Sequence, residues 1–421
     1  MPISDADSSP RPRSRRPRVD RPSRRRASRP AIVSLLVTIL LAAAPTPAVL
    51  IDGGDGTGNA SAPIPDPGFG RVGVINGLSG VYVRNGWVLT ASHVGAGKLT
   101  LGGTTYAPIA GSTVRFKNPD GSAADLIAFK LATKPPIDDI EIADAPMPLD
   151  ALLTLVGYGR DRGAATTWMG IGGWSWASTR TLRWGTNRVS AVDALVLDTH
   201  AVQTTFDDLP GAAPGQFEAD IVTGDSGGGA FTGSGNSARL VGILFARGSY
   251  VGQPAYTSLH GNTGLIVDLY AYRDDVLAVI DRPDCSDGLD DDGDGLADHP
   301  DDPGCASPTD ASERSPLFVC DNELDDDGDG LADAPRDPGC ANPADASERG
   351  AAQQCDNGLD DDGDLAVDFP DDSGCLHPTN PVEAPEPDLG ALVATGALAL
   401  AARDRRGSRR ARQTSSTRST R

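Results

Sequence analysis

All six cysteines of this 421-residue chain fall between residues 285 and 375, so everything before them must fold on an apolar core without disulfides. Cys285, Cys305, Cys320, Cys340, Cys355 and Cys375 stand 20 apart within each pair and 35 apart from pair to pair, which marks three copies of one module. Pairing within each module is the simplest connectivity, and it requires an oxidising compartment. Each bridge then closes a loop of about 20 residues, which the chain-entropy treatment values at roughly 3 kcal/mol.

Charge separates the ends from the middle. The chain has 37 Lys+Arg against 58 Asp+Glu, a net charge of −21. Ten arginines lie in residues 11 to 29 and eight between Arg403 and Arg421, so residues 51 to 388 hold 19 basic and 54 acidic side chains, 19 − 54 = −35. Without a basic face there is nothing to grip phosphates, so a nucleic-acid partner is excluded, and the acidic middle attracts cations. The apolar run Ala31 to Ala44 follows the first arginines and precedes small residues, the order of a secretory signal. Its 14 residues are few for a membrane span. We expect residues 1–50 to be a signal peptide cleaved between Ala44 and Ala62, and residues 51–68 a linker. At the other end, Pro385-Glu386-Pro387, the apolar run Leu389 to Ala402 and the arginines of segment 381–421 resemble the bacterial Pro-Glu-Pro sorting signal. That resemblance implies processing and anchoring at the envelope membrane. A secreted or envelope-bound protein is expected.

Residues 69–282 read as short apolar runs between glycine turns, for example Val81-Tyr82-Val83 and Leu240-Val241-Gly242-Ile243-Leu244, an all-β pattern. Leu269, Tyr272, Val276 and Ile280 predict one terminal helix behind Asp268 as N-cap. Within this region Gly224-Asp225-Ser226-Gly227-Gly228 can expose a serine hydroxyl on a tight turn, with the N–H groups of Gly224 and Ser226 converging on one point. Upstream lie Leu89-Thr90-Ala91-Ser92-His93 and Asp125-Leu126-Ile127-Ala128, and Val156-Gly157-Tyr158-Gly159 falls between them and the serine. With these motifs in this order, the region resembles the trypsin-like serine protease family over about half the chain.

The resemblance implies a two-barrel fold with a C-terminal helix, a His93, Asp125 and Ser226 triad, and an oxyanion hole at Gly224 and Ser226. It also implies a protein or peptide substrate and no catalytic cofactor. Asp220 lies where members that cut after Lys or Arg carry an acidic pocket base, and Arg247 falls at the pocket wall, placed to neutralise it. The family's activated members pair a freed Ile-Val-Gly-Gly amino group with the aspartate before the serine, here Asp225. No such motif is present, so an internal donor to Asp225 is expected, and the first strand is expected at Val72-Gly73-Val74-Ile75.

Residues 283–380 form the three modules. Asp290, Asp292, Asp294 and Asp298 alternate around a glycine turn, as hard-oxygen calcium loops do. Asp301 stands at the twelfth position, where a helix–loop–helix site would place a bidentate Glu. Asp325, Asp327, Asp329 and Asp333 repeat the pattern with Arg336 at that position, and Asp360, Asp362, Asp364 and Asp368 repeat it with Leu365 in place of the glycine. Without flanking amphipathic helices the modules resemble thrombospondin type 3 repeats, irregular and stapled by calcium and disulfides. The expected whole is a secreted serine endopeptidase on an acidic calcium-binding stalk. The alternative is a non-catalytic, calcium-dependent envelope or matrix binding protein.

Overall fold

The structure, a computed structural model, describes residues 49–207 and 217–385. Residues 1–48 of the expected leader and residues 386–421 of the sorting-like tail lie outside the described residues. Among the described residues no helix is long and apolar enough to cross a membrane.

The first half of the β region is a seven-stranded antiparallel sheet in the order Thr104–Tyr106, Leu99–Leu101, Val72–Ile75, Leu78–Arg84, Trp87–Thr90, Ala123–Lys130, Val114–Lys117. Two Asn-Gly pairs set its hairpins. Asn76 and Gly77 have φ of 53° and 76°, and Asn85 and Gly86 have 51° and 80°, the double positive φ of turns whose twist matches the flanking strands. The second half closes into a six-strand barrel. Gly229–Thr232, Leu152–Gly157, Arg183–Val196, Thr199–Thr205, Thr263–Asp268 and Arg239–Gly248 pair in sequence, and the last returns to the first. Closure leaves no free edge in that ring. One apolar core joins the halves, with Val81, Leu89 and Phe129 clustered with Val156, Phe231, Ile243 and Val267.

Two expectations shift. The terminal helix is Arg273–Ile280, starting at Tyr272 rather than behind Asp268, whose carboxylate instead accepts the Tyr270 N–H. Val276 and Ile280 give the helix its buried face, while Leu269 and Tyr272 are buried ahead of it. The stretch read as leader end and linker carries the first strand, Leu50–Ile51, which pairs antiparallel with Ala219–Asp220. Val49 and Leu50 are 0% exposed, so the packed region reaches back at least to Val49, ahead of Phe69.

Beyond the helix the chain is irregular apart from two short 3-10 turns, Asp284–Ser286 and Val319–Asp321. The disulfides are Cys285–Cys305, Cys320–Cys340 and Cys355–Cys375, pairing within each module. Lys130, at the end of a sheet strand, fastens the first module to the β region. Its ammonium bonds Asp284 at 2.8 Å, Asp287 at 2.6 Å and Asp291 at 2.5 Å, with a side chain only 2% exposed. Burial alone would lower its pKa, but the three carboxylates hold it above its ordinary value.

Candidate active site

His93 follows strand Trp87–Thr90, and Asp125 lies in the paired strand Ala123–Lys130, so the sheet register delivers both side chains to one end. Asp125 holds the histidine twice. Its Oδ2 lies 2.7 Å from His93 Nδ1, and its Oδ1 accepts the His93 backbone N–H at 3.0 Å. Asp125 is itself fixed by donating its N–H to Thr199 Oγ1 at 2.9 Å, across to the barrel. The hydrogen bond to Asp125 raises the His93 pKa, against the opposing effect of burial. Burial pushes Asp125 upward, but the bonds from His93 outweigh it and keep the carboxylate below its usual range. Such a pair fixes which imidazole nitrogen carries the proton and leaves Nε2 able to accept one.

Ser226 sits on a turn anchored to the first sheet. Ser79 donates its N–H to the Ser226 carbonyl at 2.9 Å and its hydroxyl to the Gly224 carbonyl at 3.1 Å. Thr90, three residues before His93, donates to the Ser79 carbonyl at 2.8 Å, which ties the serine turn to the histidine strand. The glycines are required. Gly224 has φ of 113°, and a Cβ there would lie 2.7 Å from Gly159 Cα; at Gly227, φ 84°, it would lie 1.9 Å from the Ser79 carbonyl oxygen. The N–H groups of Asp225, Gly227 and Gly228 bond the carbonyls of Val222, Leu244 and Asp225. Among the described residues, those of Gly224 and Ser226 have no such acceptor.

Asp225 is fully buried. Val222 donates to its Oδ2 at 2.8 Å, Oδ1 makes no well-formed hydrogen bond, and the backbone of Gly159 and Val49 lies close enough to the carboxylate to favour its charged form. Burial lifts its pKa to about 7. The internal donor expected for it is therefore backbone alone, and among the described residues no side-chain cation reaches it.

Asp220 and Arg247 come together as the sequence suggested. Arg247 Nη2 bonds Asp220 Oδ2 at 2.9 Å and Asn262 Oδ1 at 2.6 Å, and its guanidinium lies over the Trp176 ring at 5.0 Å. Asp220 is thus already paired with a cation.

In the acidic loops, one oxygen each of Asp290, Asp292 and Asp294 lies within 4.8 Å of the others. The fourth acid of each loop, expected as a ligand, accepts backbone N–H groups, as the first acid Asp290 does from Gly293 and Gly295. Asp298 accepts the Gly288 N–H at 3.0 Å, Asp333 those of Asn322 and Glu323 at 2.7 and 2.8 Å, and Asp368 those of Asn357 and Gly358 at 3.1 and 2.6 Å. The same offsets recur 35 residues apart because each of these acids closes the turn that opens its loop. Gly295 and Gly330 have φ of 95° and 89°, and Leu365 is forced to 79° at the equivalent point. Sequence reading missed Glu313, Glu348 and Glu383, whose carboxylates each bond two loop N–H groups, Asp291 and Asp298 in the first module. Their 35-residue spacing was the available signal.

The trypsin family model matches residues 71–259. Those residues form a trypsin-like serine protease domain, a peptidase fold of the chymotrypsin type that implies peptide substrates. Among solved structures, human heparin binding protein is 16% identical over 53% of this chain and 96% of that chain, with a TM-score of 0.36. Kallikrein-related peptidase 10 is 18% identical over 51% of this chain and 96% of that chain, with a TM-score of 0.34. No curated protein matches the chain.

Proposed function

We propose that the chain is an exported serine endopeptidase that cleaves protein or peptide substrates through an acyl-enzyme, carried on an acidic calcium-binding stalk. One observation carries this reading: Asp125 grips both the ring and the backbone N–H of His93, whose strand is tied through Thr90 and Ser79 to a glycine turn with two uncommitted amides. Ser226 Oγ attacks the scissile carbonyl carbon as its proton passes to His93 Nε2. The Gly224 and Ser226 N–H groups take the developing oxyanion charge. Collapse breaks the C–N bond, and His93 returns the proton to the leaving amine. Water then attacks the ester by the same route, releasing the acid and Ser226. No cofactor enters these steps. Because Arg247 already neutralises Asp220, the reading assigns no preference for Lys or Arg substrates. Ser226→Ala should lower casein hydrolysis by roughly 10⁴-fold or more while the fold persists. Equal hydrolysis by variant and wild type would exclude the reading.

Leader removal fits a second role. Val49 is buried against Asp225, whose Oδ1 lacks a proper donor. Cleavage between Ala48 and Val49 falls inside the expected window and would turn the Val49 N–H into an ammonium beside that carboxylate. The pairing would lower the Asp225 pKa again and fix the turn that carries Ser226. Cleavage after Arg71 has no comparable partner, since Val72 is 1% exposed and paired with Val81 in the sheet. Mature active protein should begin at Val49 on N-terminal sequencing.

For the stalk, the residues present suit a hard cation: Asp292, Asp294, Asp329 and Asp362 each hold a buried Oδ2 with no hydrogen-bond partner among the described residues. Calcium there would supply charge compensation and cross-linking of irregular backbone, as its preference for six to eight oxygens allows.

A further inference from the structure

The orphaned oxygens are not confined to the loops. Asp302 and Asp337 lie downstream of the first two, one residue past the twelfth position, and each is 1% exposed. Each uses Oδ1 to accept a backbone N–H, from Gly304 at 2.7 Å and Gly339 at 2.6 Å, and leaves a buried Oδ2 without a partner. Asp302 interacts electrostatically with Asp292, Asp290 and Asp298, and Asp337 with Asp329, Asp327 and Glu348; an oxygen of Asp302 also lies within 4.8 Å of one of Glu313, and one of Asp337 within that distance of Glu348.

A further carboxylate arrives from the next module. Asp321, 2% exposed, accepts the Ser315 N–H at 2.9 Å and also meets the carboxylate of Asp292 within hydrogen-bonding range. Asp356, 35 residues on, accepts the Gly350 N–H at 2.9 Å and meets Asp327 in the same way. Ionised carboxylates are acceptors only, so two in contact need a cation or a proton between them. Arg314 braces the first junction from outside, bonding the Asp292 carbonyl at 3.1 Å and Asp333 at 3.0 Å.

We propose that the first two loops hold calcium at sites that close only between modules: Asp290, Asp292, Asp294 and Asp302 with Asp321 of the next module, then Asp325, Asp327, Asp329 and Asp337 with Asp356. This deepens the calcium reading above and rests on it. Five oxygen donors and no nitrogen or sulfur is a calcium set, with water filling the remaining positions. The period puts Ala391, which has no side-chain carboxylate, at the third position of this kind, so the proposal assigns no cross-module carboxylate to the third loop. Binding in the first two loops therefore locks successive modules together.

The test is calorimetric titration of calcium into the full mature chain, with amide exchange read across residues 313–323 and 348–358. Asp321→Asn and Asp356→Asn keep the oxygen that accepts the backbone N–H while removing the charge, and each should weaken one site by roughly tenfold or more, since even outer-shell losses cost 10–100-fold. Each should also abolish calcium-induced protection at its own junction. Asp301→Asn, at the position a helix–loop–helix site would use, should leave both readouts unchanged. If wild type binds calcium and protects the loops, yet Asp321→Asn and Asp356→Asn match it in affinity and junction protection, the cross-module site is wrong and the calcium reading stands. If wild type binds no calcium at millimolar concentration, both are wrong.

Discussion

Lys130→Met should uncouple the first module from the protease domain. The ammonium is enclosed by Asp284, Asp287 and Asp291 at 2.8, 2.6 and 2.5 Å, and their side chains are 9%, 2% and 9% exposed. Methionine fills much the same volume but leaves three buried carboxylates facing one another. Removing one partner of a buried ion pair costs about 3–5 kcal/mol, and here a single cation serves three anions, so the upper end applies at neutral pH. Lys134, 3.2 Å from Asp284 but half exposed, compensates little of this. Burial already lifts Asp291 to about 7 with the lysine present, so this acid binds protons more readily folded than unfolded and costs stability as pH rises from about 4 towards 7. Without the lysine that penalty grows, so the loss should be large at pH 7 and small near pH 5, where the acids are neutralised by protons. Urea unfolding at both pH values, with limited proteolysis around residues 281–284, measures it. Adding Asp284→Asn, Asp287→Asn and Asp291→Asn to Lys130→Met should restore much of the stability. A loss below about 1 kcal/mol at pH 7 would refute the argument that this cluster is the anchor.

Three further outcomes are expected. Because Asp125 raises the His93 pKa, and the base must be neutral, kcat/KM should fall on acidification with a midpoint above the ordinary value of about 6.5; a midpoint at or below it would contradict the pairing. Arg247→Ser should uncover Asp220 and shift cleavage on a peptide library towards Lys and Arg, at a stability cost of about 3–5 kcal/mol; an unchanged profile would place Asp220 away from the substrate pocket. Leu365→Gly should relieve roughly 1–2 kcal/mol of left-handed strain and raise the calcium affinity of the third loop by titration, whereas no gain would mean the loop has adapted to the side chain.

The all-β pattern, the terminal helix and the module disulfides were legible because each rests on local periodicity or fixed spacing. His93 and Asp125 were legible for the same reason, since each travels in a strand motif. What sequence could not give were contacts made across the fold. Val49 reaches Asp225 only through the pairing of Leu50–Ile51 with Ala219–Asp220. Lys130 lies at the end of a strand and is buried because the first module lies over it, a contact that local patterns do not encode. In the loops, alternation of acids singled out Asp298, Asp333 and Asp368, and only the hydrogen bonds reveal that they also clamp the turns that open each loop. The helix start moved because Asp268 is spent on Tyr270, which the spacing of apolar residues does not encode.

The central claim is that Ser226 is an activated nucleophile beside a formed oxyanion hole. Fluorophosphonate labelling of the exported, leader-free protein, read by mass spectrometry, tests both at once. Label should attach to Ser226 alone, vanish in Ser226→Ala, and fall steeply in His93→Ala. A folded protein that remains unlabelled at pH 8, or is labelled equally with His93 removed, would contradict the account.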